Sequence, residues 1–183
     1  RNNSYYYEYW KVSNHMSTLS VDTITGQTTA ANVKLPAGAV LQTVSSTMTG
    51  RVHLSTTGRA AIGSGATLVI TPKFNTSKIY IVTNINCISR NSQTCASYLC
   101  RTPSGGSKVT INQLSWFNET NSWNSFSYFH NYIDSPATTT ALTYSVEAEI
   151  ASASDSGMYF NYGNSGLIGQ ELSLIHISEP TRL

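Results

Sequence analysis

The chain has 183 residues, only 11% of them charged, with 11 Lys and Arg against 9 Asp and Glu. A soluble domain usually carries about 25% charge; here 49 Ser and Thr residues take that place, so hydroxyls and amides hold the surface in water. The scattered cations form no stripe for neutralising phosphates, no run approaches the about 18 apolar residues of a membrane span, and no apolar signal-peptide core opens the chain, so the expectation is a soluble protein that neither binds nucleic acid nor inserts into a membrane.

Residues 1–15, "RNNSYYYEYWKVSNH", lack a Met and are crowded with Tyr, whereas Met16 opens a segment that reads as a natural beginning; 1–15 is read as an upstream extension. Residues 16–38 hold only Leu19, Val21 and Ile24 as apolar anchors among Thr, Gly and Gln. Three such side chains cannot offset the entropy of ordering the segment, so this arm is expected to dock on its own domain or to wrap with copies from other subunits. Pro36 and Gly38 form the joint between the arm and the domain.

The stretch 39–171 is a series of short apolar segments separated by turn residues: 39–48, 66–72, 78–88, 96–102, 108–117, 125–133, 142–150 and 158–163. Segments of this length and spacing, rich in β-branched and aromatic residues, predict strands, and no stretch shows a sustained helical period with caps. The fold class is therefore all-β, an antiparallel β-sandwich or jelly roll with an extended N-terminal arm. The clearest strand is 142–150, where Leu142, Tyr144, Val146, Ala148 and Ile150 alternate with Thr143, Ser145, Glu147 and Glu149, which predicts an apolar inner face and two solvated glutamates. Before it, Asp134, Ser135 and Pro136 mark a turn, and the Thr138 to Thr140 run is expected to hold the connection extended. The last segment, 172–183 or "LSLIHISEPTRL", resembles the translated read of a sequencing adapter and is set apart as a foreign tail, although its alternation suits a strand.

Motifs that would carry chemistry are thin. His130, Asp134 and Ser135 supply the residue types of a hydrolytic triad without a nucleophile elbow, and read as a strand His followed by a turn. Glu147 and Glu149 share a strand face at about 7 Å, and read as a solvated face. The glycines at 63–66 and 104–107 read as hairpin tips. Cys87, Cys95 and Cys100 lack metal-ligand spacing and read as free thiols, with a Cys95–Cys100 bridge as the alternative. No catalytic residue, metal or cofactor is assigned. The most suggestive binding feature is the aromatic cluster between 116 and 132. Flat rings beside amides suit sugars, and the candidates are Trp123 at the tip of a polar loop, Trp116, Asn121 and Asn124, with Phe126 and Tyr128 expected to point inward.

The order "MSTLSVDTITGQTTAANVKLPAGAVLQTV", "ATLVITPKFNTSKIYIV" and "YIDSPATTTALTYSVEA", spread over residues 16–170, resembles a family of small virion structural proteins of tailed phages of marine and cyanobacterial hosts. The resemblance implies a non-enzymatic, homotrimeric jelly-roll head similar to C1q and tumour-necrosis-factor domains. It would be carried on a tail fibre or capsid, attached to other virion proteins by the 16–38 arm, assembled in the host cytoplasm, and a candidate for contact with host surface glycans. The family's final core strand has no counterpart in the match, which fades after Asn164. The alternatives are a carbohydrate-active tail-spike enzyme, against which the sparse Asp and Glu weigh, and a cellular C1q-like adhesin.

Overall fold

The computed structural model describes residues 40–89, 94–118, 124–151, 157–162 and, for the backbone alone, 173–180; all belong to the unit Leu35–Leu183. The expected N-terminal arm, with Leu19, Val21 and Ile24, lies outside these residues, as does the 1–15 extension. Among the described residues there are eleven strands and one 3-10 turn. The strands are β1 Val40–Met48, β2 Val52–Leu54, β3 Ala60–Ala61, β4 Thr67–Ile70, β5 Ile79–Ser89, β6 Thr94–Pro103, β7 Val109–Asn118, β8 Asn124–Asp134, β9 Leu142–Ile150, β10 Met158–Phe160 and β11 Ser173–Pro180. Each of the eight predicted segments forms a strand. β2 and β3 were not expected: at three and two residues they are too short to show a period.

The strands form two antiparallel sheets. In the front sheet, β8 pairs along the whole of one edge of β5. The opposite edge of β5 is shared by β11, against Tyr80 to Asn84, and by β10, against Cys87 to Ser89. β1 lies outside β11 and β2 outside β10. In the back sheet, β6 runs along one edge of β9 with β7 beyond it, and β4 and β3 share the other edge of β9. The chain visits front (β1, β2), back (β3, β4), front (β5), back (β6, β7), front (β8), back (β9) and front (β10, β11), which is a jelly roll. The segment set apart as a foreign tail thus contributes backbone to the middle of the front sheet. Ladder bonding requires only an extended chain, so this place in the sheet is independent of the origin of the segment.

Strand alternation fills the space between the sheets. The front sheet supplies Ile79, Ile81, Ile85, Cys87, Met158 and Phe160, and the back sheet Leu68, Ile70, Leu99, Leu114, Tyr144, Val146 and Ile150, all buried. Two bulges in the pairing of β6 with β7 keep that alternation in register: the skipped residues are Leu114, buried, and Ile111, packed against the core. Phe126 and Tyr128 pack on the same core from β8, as their expected inward direction requires, and Tyr132 joins them.

The two sheets are also joined by a buried ion pair. Asp134, expected where the strand stops and the chain turns, is the last residue of β8, and it is 6% exposed. Arg101 Nη1 on β6 donates to both of its carboxylate oxygens at 2.7 Å, and the Tyr144 hydroxyl on β9 donates to Oδ2 at 2.6 Å. Burial alone would lower the Arg101 pKa, but the Asp134 carboxylate overrides it and the net shift is upward. Burial first, then the carboxylate, pushes the Tyr144 phenol well above its ordinary range. A carboxylate at this depth is tolerated because three charge-assisted or hydroxyl bonds replace its water. The connection after β8 is not simply extended. Ala137 has φ 52, and the Thr138 hydroxyl accepts from the Thr140 amide at 3.1 Å, a local turn that competes with the extended form.

All three cysteines are free and buried. Cys95 faces the core and Cys100 the outside of the back sheet, so the alternative bridge is not formed; residues five apart on a strand project to opposite sides. Burial pushes the Cys95 thiol up to about 12.

Candidate functional site

The outer face of the back sheet is ordered in rows by its register. Trp116 on β7 stands opposite Ala96 on β6, which stands opposite Glu149 on β9. The next row is Gln113, Tyr98 and Glu147, and the next Thr110, Cys100 and Ser145. Trp116 is 64% exposed, and its cross-strand neighbour is the small, buried Ala96.

Across this face lies Arg59, from the segment before β3. Its guanidinium sits 3.5 Å from the centre of the Tyr98 ring, its Nη1 donates to the Thr110 hydroxyl, and its Nε is 3.9 Å from Glu149 Oε2. At that separation the guanidinium lies flat on the ring, which holds the cation in place without desolvating it fully. Lys108 reaches Glu147 Oε1 at 2.5 Å, and the Cys100 thiol donates to Oε2 at 3.5 Å. Burial first, and then the Glu147 carboxylate, raises the Cys100 pKa, so the thiol keeps its proton as a donor. The two glutamates expected in water therefore differ. Glu147 is 5% exposed, engaged by Lys108 and by the Cys100 thiol, while Glu149 stays half open. Each carboxylate is held by its own cation.

The result is a shallow surface: one exposed indole, with Gln113, the edge of Arg59 and Glu149 as polar neighbours. Flat apolar area next to fixed donors and acceptors matches a sugar ring, which has an apolar face and a hydroxyl rim. Of the residues proposed from sequence, Trp116 is placed on this surface. Asn124 begins β8 on the other sheet, and Trp123 and Asn121 lie outside the described residues. Arg59, Tyr98 and Gln113 were missed, and Glu149 was weighed only with Glu147 and not with Trp116, since it is the cross-strand register that brings β6, β7, β9 and the segment before β3 together. His130 packs edge-on to Tyr128 at 6.3 Å, and Asp134 is engaged by Arg101 and Tyr144, so these two are not assembled with Ser135 into a relay. Among the described residues no cluster of His, Cys, Asp and Glu is arranged to hold a metal ion.

The outer face of the front sheet is different. Tyr80 on β5 pairs with Ile133 on β8, Val82 with Asn131, Asn84 with Phe129 and Asn86 with Ser127. Phe129 is 63% exposed, Ile133 59% and Tyr80 36%, and none of these eight outward residues is charged.

No protein-family model matches the chain, and no curated protein matches it. Two solved structures with some likeness are the IBDV viral particle, at TM-score 0.46 and 8% identity over 77% of this chain and 36% of that one, and the Gt strain of infectious bursal disease virus, at TM-score 0.46 and 7% identity over 76% of this chain and 38% of that one. The chain thus spans little more than a third of the length of either.

Proposed function

We propose that the chain is a non-enzymatic virion structural protein of a tailed phage: a jelly-roll head that assembles as a homotrimer, is held to the particle by its 16–38 arm, and offers Trp116 to glycans of the host surface. The observation that carries this reading is the uncharged outer face of the β5–β8 pair in the front sheet, with Tyr80, Phe129 and Ile133 exposed on it. Around a threefold axis the same face of three copies converges, so any charge there would appear three times and repel as it lost water. Hydroxyls, amides and apolar side chains avoid that cost, and a contiguous exposed apolar patch is a mark of association. The sequence resemblance across residues 16–170 supports the virion setting, and the arm with Leu19, Val21 and Ile24 is the attachment segment in this reading.

Size-exclusion chromatography with light scattering on the full chain tests the assembly. A mass of three chains is expected, and a single-chain mass at all concentrations would end the proposal. A glycan array with the protein and its Trp116→Ala and Trp123→Ala variants tests the second part. Loss of bound glycans on removing Trp116 is expected, and unchanged binding would remove this surface from the function.

A further inference from the structure

The two shortest strands of the front sheet carry a second surface feature, away from Trp116. β2 pairs with β10 so that His53 is opposite Tyr159, which in turn is opposite Ile88 on β5. Leu54 and Phe160 point into the core, so His53 and Tyr159 both project outward. Their rings are parallel, 4° apart in plane and 4.1 Å between centroids. Tyr162 continues the ladder at 5.3 Å from Tyr159. The Arg51 guanidinium lies 5.1 Å from the Tyr162 centroid and 5.9 Å from that of Tyr159.

This cluster is held from beneath. Asn161, with φ 54, donates its backbone amide to the Asn86 carbonyl at 2.9 Å, and its side-chain amide to the Met48 carbonyl at 2.9 Å. The first bond ties the residue before Tyr162 to β5, and the second ties it to the chain just before Arg51. On the other side, Gly157 is required by close approach: a Cβ there would collide with the Leu54 carbonyl and come within 2.8 Å of His53 Nε2. Among the described residues, the ion-paired carboxylates are Asp134, Glu147 and Glu149, engaged by Arg101, Lys108 and Arg59. Arg51, exposed, has aromatic contacts and no ion pair among the described residues.

We infer that Arg51, His53, Tyr159 and Tyr162 form a binding site for an acidic sugar, a uronate-type residue whose carboxylate pairs with Arg51 while its ring lies along the aromatic ladder. The exposed cation is pre-positioned beside the rings, so less side-chain entropy is lost when it pairs, and a planar guanidinium is suited to a carboxylate. The exposed His53 ring and the half-buried Tyr159 and Tyr162 rings beside it supply the apolar contact that a free anion would not use. This site is distinct from the Trp116 surface and lies on the other sheet, so the two are tested separately.

The test is titration calorimetry of the full chain with a short oligogalacturonate and with its methyl ester, which keeps the rings and removes the charge. The acid is expected to bind about tenfold more tightly than the ester. Arg51→Gln should remove that difference, Tyr162→Leu should weaken both forms, and Trp116→Ala should leave both unchanged. Equal affinity for acid and ester in the wild-type protein would overturn the proposal without reference to any variant, as would no binding of the acid. Binding of inorganic sulfate as tight as that of the oligosaccharide would replace a sugar site with a general anion site and also overturn it. Circular dichroism of the Arg51→Gln and Tyr162→Leu variants establishes that each is folded before its affinity is compared.

Discussion

The outer faces of the two sheets are built on the same strand geometry and solve opposite problems. On the back sheet, Arg59, Lys108, Glu147 and Glu149 pair across three strands, and the charges are satisfied within one chain. On the front sheet, Tyr80, Val82, Phe129 and Ile133 are surrounded by Asn and Ser with no charge among them. A face whose polar groups are already paired at home gains little from a neighbour. A face with unsatisfied apolar area and no charge loses little by meeting one. In the proposed assembly the β5–β8 part of the front sheet therefore meets the other copies, while the β2–β10 edge and the back sheet stay open to solvent.

A charge placed on the front face breaks this contrast most severely. Phe129→Asp puts three carboxylates near one threefold axis in the proposed trimer, at a cost of several kcal/mol, and should give a folded monomer by light scattering; a variant that remains trimeric would move the interface elsewhere. The reverse experiment takes a charge from the back face. Lys108→Met leaves Glu147 buried without its cation and should lower stability by about 2 kcal/mol in urea unfolding, below the range for a fully buried pair because Lys108 is half exposed. Adding Glu147→Gln to that variant should recover most of the loss.

The inner face of the back sheet gives a pH-dependent signature. Cys95 is raised from 9.0 to about 12 by burial, so the folded state holds this proton more tightly than the unfolded chain. The corresponding stability is complete below pH 9 and is lost as pH rises toward 12, with a slope of at most about 1.4 kcal/mol per pH unit. Cys95→Ala should flatten the alkaline fall by that amount, measured as the difference between the two unfolding free energies across the range. The smallest effect belongs to Arg59→Met, which keeps the stem over Tyr98 and removes the cation. A loss of about 0.5–1 kcal/mol is expected by thermal unfolding.

Much of the fold was legible because strands announce themselves locally. The alternation in 142–150 placed Leu142, Tyr144, Val146, Ala148 and Ile150 on one face, and all five are buried there. The same alternation misplaced Glu147, because a period of two separates faces without telling what lies above each one. Asp134 read as a turn residue for a similar reason: its type and its neighbours Ser135 and Pro136 suit a turn, and the partners that draw it inward, Arg101 and Tyr144, come from two strands of the opposite sheet. Trp116 was found as a candidate from its company of aromatics and amides, whereas Arg59, Ala96 and Tyr98 around it were not, since they share no local pattern with it.

By itself, the order of residues determined the class of fold, the positions of the long strands, the oily face of each one, and a surface supported by hydroxyls instead of ions. Those properties depend on near neighbours in the chain, at spacings of one or two residues. Only the tertiary structure decided that two short segments pair at β2 and β10 to gather Arg51, His53, Tyr159 and Tyr162, that one carboxylate crosses between the sheets, and that the outer face of the β5–β8 pair carries no charge while that of the back sheet does. Register and sheet order fix these, and both arise from packing between segments that are tens of residues apart.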